Sequence, residues 1–210
     1  MSNEGITVSS VGSASGPPDR AILTLGASAL RAGAADALEV VNTKVRTLIS
    51  TVAPFGIDGF TVQTTELSIW PERSTDGSTI GFRARNVVRI TISEMAAIGE
   101  VVGAATQALG DSAEMHGLVF EVADPTVLEY AARGRAWELA VAKATQIAEL
   151  AGTELGNAVE VTESTGRGPI SPLPKTMAMA EAAPIETGAT TVEVQLTVRF
   201  LQYQGDRQPR

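Results

Sequence analysis

The chain has 210 residues, of which 44% are hydrophobic and 19% charged, a composition typical of a folded protein with a sizeable core. Its net charge of -8 argues against a sequence-independent grip on nucleic acid, which requires Lys and Arg to neutralise phosphates. The absence of cysteine excludes disulfides, thiolate metal sites and cysteine nucleophiles.

Hydrophobic periodicity predicts ten regular elements in the order ββαββαβαββ. They are strands at 6–12 and 21–30, a helix at 34–52, strands at 60–70 and 80–92, a helix at 94–109, a strand at 116–122, a helix at 124–152, and strands at 158–165 and 190–203. We expect the first two strands to form a hairpin across the Gly-Pro-Pro-Asp turn at 16–19. The alternation in the strand at 80–92 slips near Asn86, which indicates a bulge.

The long helix at 124–152 has clear ends. Asp124 can accept the free N–H groups of its first turn, Pro125 suits the first helical position, and Gly152 suits a left-handed cap. Its predicted apolar face comprises Trp137, Ala140, Val141, Ala144, Ile147, Ala148 and Ala151. The pattern therefore favours an α+β fold in which helices pack on a largely antiparallel sheet. We expect a single domain over residues 1–210, with its core at about 4–203, an arm rich in proline and methionine at 167–187, and a polar tail at 204–210.

Candidate catalytic groups are sparse. His116 is the only histidine, so a Ser-His-Asp relay would have to use it, with Ser112 and Asp111 near in sequence, and we interpret it instead as a strand-edge residue. Six glutamates lie on the polar faces of predicted elements: Glu66, Glu72, Glu100, Glu121, Glu160 and Glu163. They indicate solvated faces, with paired-carboxylate chemistry as the alternative. No catalytic, cofactor or metal site is predicted.

Two further segments suggest binding. Arg83, Arg85 and Arg89 fall within one predicted strand, where they indicate either a charged solvent face or a site for a small anionic ligand. The segment Pro169 to Pro184 is long and proline-spaced, and its methionines suit an irregular apolar surface. We therefore predict a subunit interface that uses Met177, Met179 and Ile185, the alternative being a loop folded over its own core.

Several stretches together resemble the bacterial SIMPL-domain family, a domain of unknown function. They are ITVSSVGSASGPPDRAILTLG, GFRARNVVRITI, the Asp-Pro pair at 124–125, AWELAVAKATQIAELAGTELG and MAMAEAAPIETG, which together span about Glu4 to Tyr203. Thr187 stands where the family often has a second proline in a Pro-Ile-Glu-Pro-Gly motif. The resemblance implies an α+β fold and carries over no catalytic residue. It also implies a periplasmic or envelope setting and, in some members, ring-shaped assemblies.

These observations lead to one functional expectation and two alternatives. We expect a non-enzymatic, self-associating structural or interaction module that forms a homo-oligomer, needs no cofactor, binds no nucleic acid and has no integral membrane segment. The alternatives are a carboxylate-dependent hydrolase or lyase, and an anion binder that uses the arginine strand. The first residues, MSNEGITVSS, do not resemble a signal peptide, so cytoplasmic localisation is expected, with the periplasm or envelope as the alternative if an export signal is omitted.

Overall fold

The computed structural model describes residues 5–55, 61–165 and 187–204. Its helices and strands are β1 (Gly5–Gly16), β2 (Arg20–Arg31), α1 (Ala34–Val52), β3 (Thr61–Arg73), β4 (Thr79–Ile92), α2 (Ile98–Leu109), β5 (Ala113–Glu121), α3 (Thr126–Ala151), β6 (Thr153–Thr165) and β7 (Thr190–Gln204). This is the predicted order, and the α+β class is confirmed. No helix within the described ranges is long and apolar enough to cross a membrane.

The strands form two antiparallel sheets, with the orders β1-β7-β6 and β3-β4-β2-β5. The predicted hairpin of β1 with β2 is wrong, because β1 pairs with β7 and β2 pairs with β4 and β5. Sequence proximity favoured the hairpin, but the two strands bury their apolar rows in different cores, β1 with α3 and β7, and β2 with α1, α2 and β4. Residue contacts group β1, α3, β6 and β7 into one compact unit, unit 1, and β2 to β5 with α1 and α2 into another, unit 2. The expectation of a single domain over residues 1–210 stays a prediction.

In unit 2, α1 and α2 bury their apolar faces against one side of the four-stranded sheet. The buried residues of α1 recur at helical spacing, at Ala37, Val41, Val45, Leu48 and Val52. They form one core with Leu23 and Leu25 of β2, Val88 and Ile90 of β4, and Val101 and Leu109 of α2. The opposite side of the sheet has no helix in the described residues and carries the arginines of β4.

The bulge expected at Asn86 is wrong, because β4 keeps its register there. The extra residues belong to other strands of the sheet: Thr65 of β3 has no partner in the register with β4, and His116 of β5 has none in the register with β2. Asn86 is a polar residue in a core-facing position, and its Nδ2 donates a 2.8 Å hydrogen bond to Oδ1 of Asn42 in α1. The alternation of apolar and polar residues therefore looked interrupted at Asn86 because a polar residue occupies an inward position of a regular strand.

In unit 1, α3 packs on the three-stranded sheet, and all of its fully buried residues are alanines. These are Ala132, Ala136, Ala140, Ala144 and Ala148, one every four residues. Ala140, Ala144 and Ala148 of the predicted apolar face are thus confirmed, whereas Trp137 and Ile147 are 39% and 43% exposed. The physical reason is the closeness of the helix: a Cβ added to Gly12 of β1 would lie 2.1 Å from the carbonyl oxygen of Ala132.

The ends of α3 match the predicted caps. Asp124 Oδ1 accepts a 3.0 Å hydrogen bond from the Thr126 amide, and Gly152 adopts the left-handed conformation at φ 68°. Alternate residues of β7 are buried, at Val194, Leu196, Val198 and Phe200, as expected for a strand with one apolar side. These four side chains, the alanine row of α3, and Ile6, Val8 and Ala14 of β1 form the core of unit 1.

Candidate functional site

A groove runs between α3 and β6 in unit 1. It has a volume of about 340 Å³ and is lined by Tyr130, Arg133, Gly134, Trp137, Val161, Glu163 and Leu196. Leu196 of β7 is buried and forms the floor. Tyr130 and Trp137 come from α3, and Val161 and Glu163 come from β6. We call this surface the α3–β6 groove.

The alanine row of α3 explains why the groove exists. Because α3 makes most of its sheet contacts with β1 and β7, β6 lies beside the helix rather than beneath it. Val161 is consequently half exposed although it pairs with the buried Val198 and points to the same side of the sheet. On the helix, Tyr130 is 77% exposed and Trp137 39% exposed. The surface therefore presents aromatic and aliphatic side chains to solvent in a concave arrangement.

Gly134 provides the space between the two aromatic rings. Tyr130 and Trp137 are seven residues apart on α3, which is about two helical turns and about 10 Å along the axis. The indole of Trp137 packs at a tilt of 48° against Phe200, with 6.1 Å between ring centroids. Trp137 thus contacts the core of unit 1 on one side and lines the groove with its exposed part.

An ion pair closes the polar end of the groove. Arg133 donates from Nε to Glu163 Oε2 at 2.6 Å and from Nη2 to Oε1 at 2.8 Å, the two-pronged geometry of strong arginine–carboxylate pairs. The hydrogen bond from Arg133 lowers the pKa of Glu163, and the bond to Glu163 raises the pKa of Arg133. Glu163 is therefore held ionised, which suits binding and orientation better than proton donation.

A second polar cluster lies on the helix-free side of the unit 2 sheet. Arg85 donates to Glu114 at 2.5 Å and lies 3.6 Å from Glu66, while His116 Nε2 is 3.7 Å from Glu114. Burial acts to raise the pKa of Glu114, but hydrogen bonds from Ser28 and Arg85 outweigh it, so that the net shift is downward. The hydrogen bond to Glu114 is also the main reason why the pKa of Arg85 is raised. The cluster thus sets one arginine between two carboxylates, Glu66 and Glu114.

The structure places the sequence-predicted candidates as follows. Of the six glutamates, four form ion pairs with arginine: Glu66 with Arg85, Glu72 with Arg83, Glu121 with Arg20, and Glu163 with Arg133. His116 contacts Arg85 and Glu114 rather than a serine. Among the described residues no group of three or more His, Asp or Glu has the arrangement of a metal site. Met177, Met179 and Ile185 lie outside the described residues.

Sequence reasoning missed most of the groove. Tyr130, Arg133 and Val161 were not singled out, and Trp137 was assigned to the core. The available signal was the row of alanines four residues apart, because a helix whose smallest residues share one stripe packs closely through that stripe. With the alanine row facing the sheet, Tyr130 and Trp137 lie on the flank of α3, where they are exposed to solvent.

Comparisons with known proteins agree with the resemblance seen in the sequence. The family model SIMPL, described as a protein of unknown function (DUF541), matches residues 6–200. The 26 kDa periplasmic immunogenic proteins of Brucella melitensis biotype 1 and Brucella abortus strain S19 are each 25% identical over 213 residues. Each alignment covers 93% of this chain and 83% of the relative. The expectation of cytoplasmic localisation is wrong, because both relatives are named periplasmic proteins.

Proposed function

Since the chain belongs to the SIMPL family, whose function is unknown, we propose its role from its surface: a non-enzymatic interaction module that associates with further copies of itself. The observation that carries the proposal is the α3–β6 groove. Exposed aromatic side chains in a concave apolar setting with a fixed polar end are typical of protein-recognition surfaces. Tyr130 and Trp137 are the two side chains that we assign as anchors.

The proposed occupant is the arm at 169–184 of a second copy. Grooves lined by aromatic side chains recognise proline-spaced segments, whose extended conformation is set by proline before binding. Pro169 and Pro172 are three residues apart, which corresponds to about 9 Å in a polyproline conformation. This spacing matches the separation of about 10 Å between Tyr130 and Trp137 along α3. Met177 and Met179 within the arm, and Ile185 directly after Pro184, supply apolar side chains C-terminal to Pro169 and Pro172.

β6 passes the groove from Val161 to Glu163 and ends at Thr165. We assign the occupant to the arm of a second copy because exchange of identical arms gives a closed, two-fold interface.

The described contacts give less support to the two alternatives. A carboxylate enzyme needs an acid whose pKa is raised, whereas the pKa values of Glu114 and Glu163 are both lowered. An anion binder needs arginines available for a ligand, whereas Arg83 and Arg85 are bound to Glu72 and to Glu114 with Glu66. We also propose a periplasmic location, which is supported by the names of the two relatives.

Light scattering tests the self-association. Replacing Ser171 to Ala182 by a short Gly-Ser linker should lower the molar mass while the far-ultraviolet circular dichroism keeps its shape. Tyr130→Ala should lower the mass in the same way. The matched control is Tyr203→Ala, which removes an exposed tyrosine of unit 1 that does not line the groove. A wild-type chain that is monomeric, or an arm replacement without effect on the mass, would refute the proposal.

Fractionation tests the location. Cells that express the complete native reading frame should yield the protein in the periplasmic fraction after osmotic shock. Recovery only with the spheroplast contents would contradict a periplasmic role and would leave the self-association test unaffected.

A further inference from the structure

Each sheet has two edge strands, and β1 differs from the other three. β3, β5 and β6 each contain charged residues and an interruption of register. β1, with the sequence GITVSSVGSASG, has no charged residue and no proline, and it pairs with β7 in unbroken register. A long, regular, uncharged edge is the kind that another strand can extend. The sequence of β1 therefore contains none of the features, such as charges, prolines or bulges, that usually hinder strand addition at a sheet edge.

Two basic side chains from α3 bind the backbone of this strand. Lys143 Nζ donates a 2.8 Å hydrogen bond to the carbonyl oxygen of Ser9, and Arg135 Nη1 donates to the carbonyl oxygen of Ser13. Arg135 and Lys143 are eight residues apart on a helix, which is about 12 Å. Ser9 and Ser13 are four residues apart on a strand, which is about 13 Å. The two spacings match, so that side chains from the same helix donate hydrogen bonds to both carbonyls simultaneously.

The two carbonyls are the groups that an incoming strand would need. Along a strand, carbonyls two or four residues apart point to the same side, so those of Ser9 and Ser13 share a direction. Since both accept from side chains of α3, we take that direction to be away from β7 and toward the free edge, the edge of β1 that pairs with no strand among the described residues. Each is bonded to a cationic donor, and such charge-assisted bonds are stronger than the amide bonds a strand would offer in exchange.

We infer that Arg135 and Lys143 guard the free edge of β1 against strand addition by a second copy of this chain. Without them, the β1 strands of two copies can pair antiparallel about a two-fold axis, each using the same residues. The inference is independent of the proposed function, since Arg135 and Lys143 do not line the α3–β6 groove.

The test uses a parent chain in which the Gly-Ser linker replaces Ser171 to Ala182, so that arm-mediated association does not contribute. In this parent, Arg135→Met with Lys143→Met removes both donors and keeps the aliphatic stems. The matched control is Lys44→Met with Arg46→Met on α1, which changes the net charge equally. Relative to the parent, the edge variant should show about a twofold or larger mass by light scattering. Hydrogen exchange should slow at β1 amides, and the control should match the parent on both measurements.

Two additional variants make the result specific to the edge. Adding Val11→Pro to the edge variant removes an N–H on the same side of the strand as the guarded carbonyls and should restore the parent mass. Arg135→Lys with Lys143→Arg keeps both donors and should leave the mass unchanged. An edge variant with the parent mass, an increase that Val11→Pro does not reverse, or association of the exchanged pair would overturn the inference.

Discussion

The hydroxyl of Ser10 in β1 donates a 2.7 Å hydrogen bond to the carbonyl oxygen of Ala136 in the middle of α3. Two residues along the strand, a Cβ on Gly12 would lie 2.3 Å from the amide nitrogen of the same Ala136. Helix and strand thus meet backbone to backbone, and the Ser10 hydroxyl links the two backbones directly. The position of α3 over β1, and with it the α3–β6 groove, depends on these small residues.

Gly12→Ala should therefore destabilise the protein by about 1–3 kcal/mol or more, because the added methyl group forces α3 away from the strand. Urea unfolding followed by circular dichroism measures the change. Gly99→Ala is the control, since Gly99 lies in α2 with nothing within 4 Å of an added Cβ. That change should stabilise by up to about 1 kcal/mol through helix propensity. Equal effects of the two substitutions would contradict the close packing.

Trp137→Ala should destabilise by about 1–2 kcal/mol, less than the about 3–5 kcal/mol typical of a fully buried aromatic residue. The reason is that the indole keeps 39% of its surface exposed and has one aromatic contact, with Phe200. Chemical denaturation of the arm-replaced chain isolates this effect from association. A loss as large as that of a core residue would show that the flank of α3 is not solvent-facing.

Acid should weaken the fold through Glu114 and Glu163. Both pKa values are lowered in the folded state from 4.5, so their stabilisation is present above about pH 4.5 and is lost as the pH falls through the folded pKa values. The urea midpoint should accordingly drop between pH 6 and pH 3. Glu114→Gln and Glu163→Gln should each reduce that drop, whereas Glu100→Gln on α2 should not. An unchanged drop in both variants would exclude these carboxyls as its source.

Arg85→Met should destabilise by about 1 kcal/mol, because it leaves Glu114 and Glu66 near each other without their shared cation. Arg89→Met, on the same side of the same strand and exposed, should change the stability by less than about 0.5 kcal/mol. Thermal denaturation at low ionic strength measures both changes in stability. Addition of salt should reduce the difference in stability between the Arg85→Met and Arg89→Met proteins, since salt screens the charges.

Much of the fold could be predicted from the sequence. Caps at Asp124 and Gly152 and regular alternation in β7 are local signals, and the structure follows them. The pairing of strands has no such local signal. It depends on which apolar rows pack into the same core, and those rows are far apart in the sequence. The sequences of β1 and β2, each of 12 residues, gave no local sign that the two strands belong to different sheets.

The candidate site was less predictable, for a related reason. The side of α3 that faces the sheet is chosen by the closeness of approach at Gly12, and hydrophobicity alone ranks Trp137 and Ile147 above alanine for burial. The bulges at Thr65 and His116 likewise shift which residues of β3 and β5 face the core. A single extra residue of this kind has no signature in composition or charge.

The distribution of tryptophan has a practical consequence. The chain has two, Trp70 in β3 of unit 2 and Trp137 in α3 of unit 1, and both are more than one-third exposed. Each unit therefore has its own intrinsic fluorophore. Trp70→Phe leaves emission that reports unit 1 alone, and Trp137→Phe leaves emission that reports unit 2. Coincident fluorescence transitions of these two proteins would mean that the units melt as one cooperative body, and separated transitions would give each unit its own melting temperature.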